Sequence, residues 1–157
     1  MQDATRVEQA HSRFDGFDEH ARNTMYAARE EARAGNHVHV GTQHILAGFL
    51  QNPDCVASQA LGDLGVDAAA LTQRARTIVP PGSAPLAGDP VLSPRAVNAL
   101  ELAVDDARRL KAKAVGTEHL LVGLLATSDG MAHAALTEAG VTLDATRAAI
   151  QLYGAAG

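Results

Sequence analysis

Glu118 and Ser93 are the side chains of this 157-residue sequence best placed to hold a charged ligand. Glu118 follows Thr117, which is expected to cap a short helix, so the carboxylate lies in that helix's first turn. There it either complements the helix dipole or accepts both arms of a guanidinium. Ser93 precedes Pro94 and is expected to cap a long helix, whose free N–H groups suit a phosphate. A ligand with a guanidinium at one end and a phosphate at the other, such as phosphoarginine, needs both.

Other chemistry is less well supplied. His37, His39 and His44 could be metal ligands, but no Cys pair and no H-E-x-x-H accompanies them, and no metal is expected. His44 and His119 recur at equivalent places and are expected to be packed or bonded to backbone. Cys55 is the sole cysteine, cannot form an internal disulfide and reads as an incidental thiol. There is no G-x-x-x-x-G-K-[ST] and no readable Ser-His-Asp constellation, so neither nucleotide hydrolysis nor a cofactor is expected.

The element that positions these groups occurs twice. Val40-Gly41-Thr42-Gln43-His44-Ile45-Leu46-Ala47-Gly48-Phe49-Leu50 returns 75 residues later as Val115-Gly116-Thr117-Glu118-His119-Leu120-Leu121-Val122-Gly123-Leu124-Leu125. The offset holds without a gap on both sides of the motif, which identifies a tandem duplication. Gly48 and Gly123 fall inside the motif helices, where each costs about 1 kcal/mol relative to Ala, and imply close helix packing. Gln43 against Glu118 is the difference that bears on chemistry.

Around the motif, Asp18 is expected to cap a helix over residues 19–34. Thr42 should cap a second through about Gln51, Asp54 a third ending near Leu64-Gly65, and Asp67 a fourth. Residues 80–90 hold four prolines and two glycines and read as a linker. Ser93 then restarts the pattern: Thr117 caps the motif helix, a helix follows Asp129, and the last runs from about Leu143 to Tyr153. The expected fold class is all-α, eight helices in two tandem four-helix repeats packed with pseudo-two-fold symmetry, and no strand. The expected divisions are an extension (1–13), repeat 1 (14–79), the linker (80–91), repeat 2 (92–153) and a tail (154–157).

Net charge is −5 with no basic run, which argues against nucleic acid. No apolar stretch reaches membrane-spanning length and no signal peptide is visible, so a cytoplasmic protein is expected.

The doubled G-T-[EQ]-H-[IL]-L-x-G-[FL]-L motif resembles the Clp N-terminal domain, the repeat domain at the front of ClpC- and ClpA-type unfoldases. The resemblance extends to Glu30-Glu31-Ala32-Arg33 and to Leu92-Ser93-Pro94-Arg95-Ala96, and spans about Phe14 to Tyr153. It implies an all-α domain of two four-helix repeats. In the ClpC branch such a domain receives adaptors and arginine-phosphorylated substrates, passes them to an ATP-driven ring, and binds certain cyclic-peptide antibiotics.

Carried over residue by residue, the resemblance implies a phosphoarginine site at Glu118 and Ser93, with Arg95 and Thr117 beside them. It implies a degenerate first site at Gln43 and Asp18 with Thr42, since Gln43 lacks the guanidinium-pairing charge and Asp18 repels phosphate. Phe14, Phe17 and Leu92 match an apolar peptide or antibiotic surface. The expected function is a non-enzymatic recognition module binding one phosphoarginine per chain. No ATPase module follows in the sequence, so a free-standing domain is expected. The alternative is a decoy that sequesters cyclic-peptide antibiotics and protects a related unfoldase. A metal-dependent enzyme using His37, His39 and His44 is a third class, marked by stoichiometric zinc.

Overall fold

A computed structural model describes residues 14–154; the expected 1–13 extension and the last three residues of the expected tail lie outside them. Repeat 1 supplies α1 (Glu19–Ala34), β1 (His39–Val40), α2 (Thr42–Leu50), α3 (Val56–Asp63) and α4 (Ala68–Thr77). Repeat 2 supplies β2 (Val91–Leu92), α5 (Pro94–Arg109), α6 (Thr117–Ala126), α7 (Met131–Glu138) and α8 (Leu143–Gly154). The four helix starts of repeat 2 fall 75 residues after those of repeat 1, so the duplication survives at the level of helix ends. No single helix among the described residues is long and apolar enough to cross a membrane.

The helix ends follow local chemistry. Asp18 accepts the Ala21 amide at 2.8 Å, Asp67 the Ala70 amide at 3.1 Å, and Ser93 the Ala96 amide at 3.1 Å. Each occupies one of the orphan donors of a helix N-terminus. After α1 and α5 the chain turns through left-handed residues at matching places, Asn36 (φ 56°) and Lys111 (φ 57°). After α3 and α7 it does so at Gly65 and Gly140, both φ 83°, where lack of a Cβ removes the strain.

The motif helices are the core. Every residue of α2 is buried, and α6 is buried except at Glu118 and Ala126. The apolar stripe of α1 (Ala21, Met25, Ala28, Ala32) lies on α2, and that of α5 lies on α6. Gly48 and Gly123 permit this closeness. A Cβ on Gly48 would lie 2.6 Å from the Thr24 carbonyl oxygen, and one on Gly123 2.2 Å from that of Ala99.

Three expectations need correction. Thr42 and Thr117 do not cap their own helices; the N-caps are Gly41 and Gly116. The threonine hydroxyls instead cross to the other repeat, Thr42 accepting the Ala132 amide of α7 at 3.0 Å and Thr117 the Ala57 amide of α3 at 3.1 Å. These amides need an outside acceptor because the N-caps of α3 and α7, Cys55 and Gly130, make no side-chain capping bond. Cys55, and not Asp54, is therefore the N-cap of α3. Finally, a strand pair exists: β1 and β2 run parallel, with His39 opposite Val91 and Val40 opposite Leu92. Its symmetry mate is a single bridge between Phe17 and Val115.

The proline-rich stretch is tied down. Gly82 donates to the Gly35 carbonyl at 2.8 Å, and Asp89 pairs with Arg33 at 2.7 Å. Equivalent acids on the long helices grip arginines: Glu31 holds Arg76 at 2.7 Å, and buried Asp106 holds Arg109 at 2.7 Å and Arg147 at 3.0 Å.

Candidate ligand-binding surfaces

The strand pairings decide which residues share a site. The Ser93 amide donates to the Val40 carbonyl at 3.0 Å, so β1–β2 sets the start of α5 beside the motif of repeat 1. On the other side Val115 donates to the Gly16 carbonyl and Asp18 to the Val115 carbonyl, both at 2.9 Å. The start of α1 therefore sits beside the motif of repeat 2. The implied grouping of Glu118 with Ser93, and of Gln43 with Asp18, is thus exchanged: Ser93 lies with Gln43, and Asp18 with Glu118.

At the Asp18 end the two carboxylates converge on Gly116. Glu118 folds over this glycine, and Asp18 Oδ2 lies 3.0 Å from where a Cβ would stand. Two adjacent acids favour a cation and oppose a phosphate. Thr117 supplies no ligand contact by the hydroxyl's acceptor side, which Ala57 occupies within the core.

At the opposite end a cavity of about 650 Å3 opens between the linker, the motif of repeat 1 and the start of α5. Gln43, Thr42, Ser93 and Arg95 line it together with His37, His39 and His44. Gln43 is 8% exposed, and its carboxamide makes no hydrogen bond among the described residues. The start of α5 is a smaller anion site than its sequence suggests. Pro94 has no N–H, Ser93 occupies the Ala96 amide, and only the Arg95 amide is left. The Arg95 guanidinium meets Asp129 through Nε at 3.1 Å.

One feature of this cavity was not anticipated. Gly41 donates to His44 Nδ1 at 2.8 Å, which makes Nδ1 an acceptor and puts the ring proton on Nε2. His44 Nε2 then donates to His37 Nδ1 at 2.8 Å, and His37 Nε2 donates to the Pro80 carbonyl at 2.9 Å. This chain ties the motif helix to the linker. Burial, and secondarily the neighbouring His37, push His44 down to about 4, while Glu31 acts in the opposite sense. His119 receives the Gly116 amide at 2.8 Å in the same way, but the place of His37 is taken by Ala112. The seven-residue spacing of His37 and His44, present in one repeat only, was the available signal. No three His, Cys, Asp or Glu side chains converge as a metal set among the described residues. Cys55 is buried, its thiol directed at the Phe49 carbonyl 3.5 Å away.

A third surface is apolar. Phe14, Phe17, Leu92, Val97, Leu100 and Val104 line a groove of about 310 Å3 along α5, with Glu101, Asp105 and Arg108 also on its wall. The Phe14 and Phe17 rings are tilted at 5.2 Å. Phe17 is a core residue and Phe14 is partly buried against that core.

These features match known proteins. The profile described as the Clp repeat (R) N-terminal domain matches residues 16–126 and 91–155. The chaperone ClpB of Oceanobacillus iheyensis and the negative regulator of genetic competence ClpC/MecB of Bacillus subtilis are each 34% identical over 142 residues, which is 90% of this chain. The chain spans 17% of the length of either protein. Among solved structures, the Hsp104 N-terminal domain of Candida albicans is similar with a TM-score of 0.74, covering 88% of this chain and 91% of that one at 21% identity. A ClpV N-domain in complex with a VipB peptide has a TM-score of 0.64 at 17% identity, covering 74% and 71%. By its sequence match over both repeats, the eight helices of its described residues and their pairwise packing, the chain belongs to the Clp repeat N-terminal domain family.

Proposed function

We propose that this chain is a non-enzymatic recognition domain that takes hold of partner polypeptides for a Clp-type unfoldase. The observation that carries this reading is the open apolar groove of Phe14, Phe17, Leu92, Val97, Leu100 and Val104 with charged residues on its wall. An exposed concave apolar surface of this kind suits an extended or helical apolar segment. The peptide-bound state of the related ClpV N-domain supports it by fold analogy. The test is fluorescence polarisation with a labelled, permanently unfolded polypeptide. A Val104→Asp variant with an unchanged melting curve should bind at least tenfold more weakly, and equal binding by the two proteins overturns the reading. If a cyclic apolar peptide binds tightly and the unfolded polypeptide does not bind, the sequestering role takes its place.

A finer reading concerns arginine-phosphorylated partners. Phosphoarginine needs a guanidinium acceptor and an anion-binding helix start in one pocket. The Glu118 end keeps the acceptor but adds Asp18, and the Ser93 end keeps the helix start but has Gln43. The reading therefore implies weak phosphoarginine binding, improved by restoring the missing half at either end.

A further inference from the structure

We infer that the cavity between the linker and the motif of repeat 1 accepts a carboxylate of a partner polypeptide, either an acidic side chain or a C-terminus. The inference depends on the recognition reading only for the polypeptide that carries the group. Four observations lead to it.

The first is the charge of the wall. The chain carries a net charge of −5, yet the cavity lining contains no Asp or Glu. It contains Arg95 and the imidazoles of His37, His39 and His44. The matching end of the molecule has Asp18 and Glu118 converging on Gly116. The two ends of a duplicated fold have thus diverged: one brings two carboxylates together, and the other has none on its wall and carries Arg95, paired with Asp129 through Nε.

The second is Gln43. The residue is 8% exposed, lines the cavity and has no side-chain hydrogen-bond partner among the described residues. The amide still reaches solvent, since Thr146 Oγ1 is the one buried side-chain N or O atom without a partner among the described residues, and the Gln43 Nε2 is a donor that a ligand can meet. Unlike a Glu, it has no charge with which to hold a guanidinium or repel a carboxylate.

The third is the number of donors. The α5 start provides the Arg95 amide and the Arg95 side chain, whose Nε is engaged by Asp129. With Gln43 Nε2 they match the two oxygens of a monoanion. A phosphate dianion, with three strong acceptor oxygens, asks for more donors than these.

The fourth is the rim. Val38, Val91 and Met131 are exposed apolar side chains around the same cavity and its strand pair, 62%, 60% and 40% exposed. They offer contact to the residues flanking a bound carboxylate.

The test is a two-dimensional NMR titration of the 157-residue chain, following the Gln43 side-chain NH2 and the Arg95 amide. The probes are a blocked Ala-Ala-Glu-Ala-Ala peptide, its Gln counterpart, Ala-Ala-Ala with a free C-terminus, phosphoserine and phosphoarginine versions of the blocked peptide, and acetate. Saturating shifts with the Glu peptide identify an acidic side chain; saturation with the free-C-terminus peptide identifies a chain end. Either supports the inference if the Gln peptide does not saturate. Arg95→Ala should weaken binding about tenfold, as for loss of one charge-assisted bond. Gln43→Glu should weaken it at least tenfold while the fold persists, since Glu118 occupies the equivalent place. Equal response to the Glu and Gln peptides, tighter binding of either phosphopeptide by the wild type, or no effect of Gln43→Glu overturns it. If acetate saturates both signals and no peptide does, the inference of a polypeptide carboxylate is overturned, while the recognition reading, which stands on the groove along α5, is left to its own test.

Discussion

The hydroxyl oxygen of Thr42 lies 3.0 Å from the backbone nitrogen of Ala132, across 90 positions of sequence, and caps a helix of the other repeat. Thr117 and Ala57 make the reciprocal bond at 3.1 Å. The two repeats thus complete each other's helix starts, and neither threonine can be judged by its own helix alone.

Replacing Thr42 or Thr117 by Val keeps the shape and leaves a buried amide without an acceptor. Each change is expected to lower stability by about 1–2 kcal/mol, read from urea denaturation midpoints. Thr→Ser at the same places should cost markedly less. Equal loss in the Val and Ser variants would assign the effect to packing instead of the bond.

Gly48→Ala and Gly123→Ala are expected to destabilise, although Ala is the better helix former by about 1 kcal/mol. The new methyl meets a backbone carbonyl oxygen, of Thr24 or Ala99, which cannot swing aside as a side-chain tip can. A net loss of about 1–3 kcal/mol in thermal melts is expected. Gly62→Ala, where a Cβ has nothing within 4 Å, is the control and should not lose stability.

His44 links stability to pH. Its native value is held at about 4, below the 6.5 of an unperturbed imidazole. As pH falls from about 6.5 towards 4 the unfolded chain takes up a proton that the native state refuses, so this contribution is present above the window and is lost through it. Its ceiling is roughly 3 kcal/mol. Imidazole nitrogen shifts should report His44 neutral at about pH 5.5 in the native protein, with the melting temperature falling on acidification. Titration of His44 near 6.5 would remove the linkage.

The exchanged pairing has a direct consequence for phosphoarginine. Gln43→Glu places a guanidinium acceptor beside Ser93 and Arg95, and Asp18→Ser removes the charge that opposes phosphate beside Glu118. Each change is expected to raise phosphoarginine affinity at least tenfold in calorimetry. Glu118→Ala should erase the gain from Asp18→Ser and leave that from Gln43→Glu intact. The opposite dependence is what a Glu118–Ser93 pocket would give.

Helix positions, the duplication and three of the caps were legible in the sequence, the helices and these caps because each rests on near neighbours. Apolar spacing set the buried stripes of α1 and α5, and Asp18, Asp67 and Ser93 cap helices through amides three residues on. Gly48 and Gly123 announced close packing, since only contact with a neighbouring backbone makes a helix-interior glycine useful. The site was not legible in the same way. Whether Ser93 faces Glu118 or Gln43 depends on how two similar repeats are joined, and both arrangements satisfy the same apolar pattern. The β1–β2 pairing and the reciprocal threonine caps choose between them through bonds that span repeats. The charge each pocket presents follows from that choice: sequence determined which residues were present, and the tertiary fold decided that acid meets acid at Gly116 while Gln43 meets the start of α5.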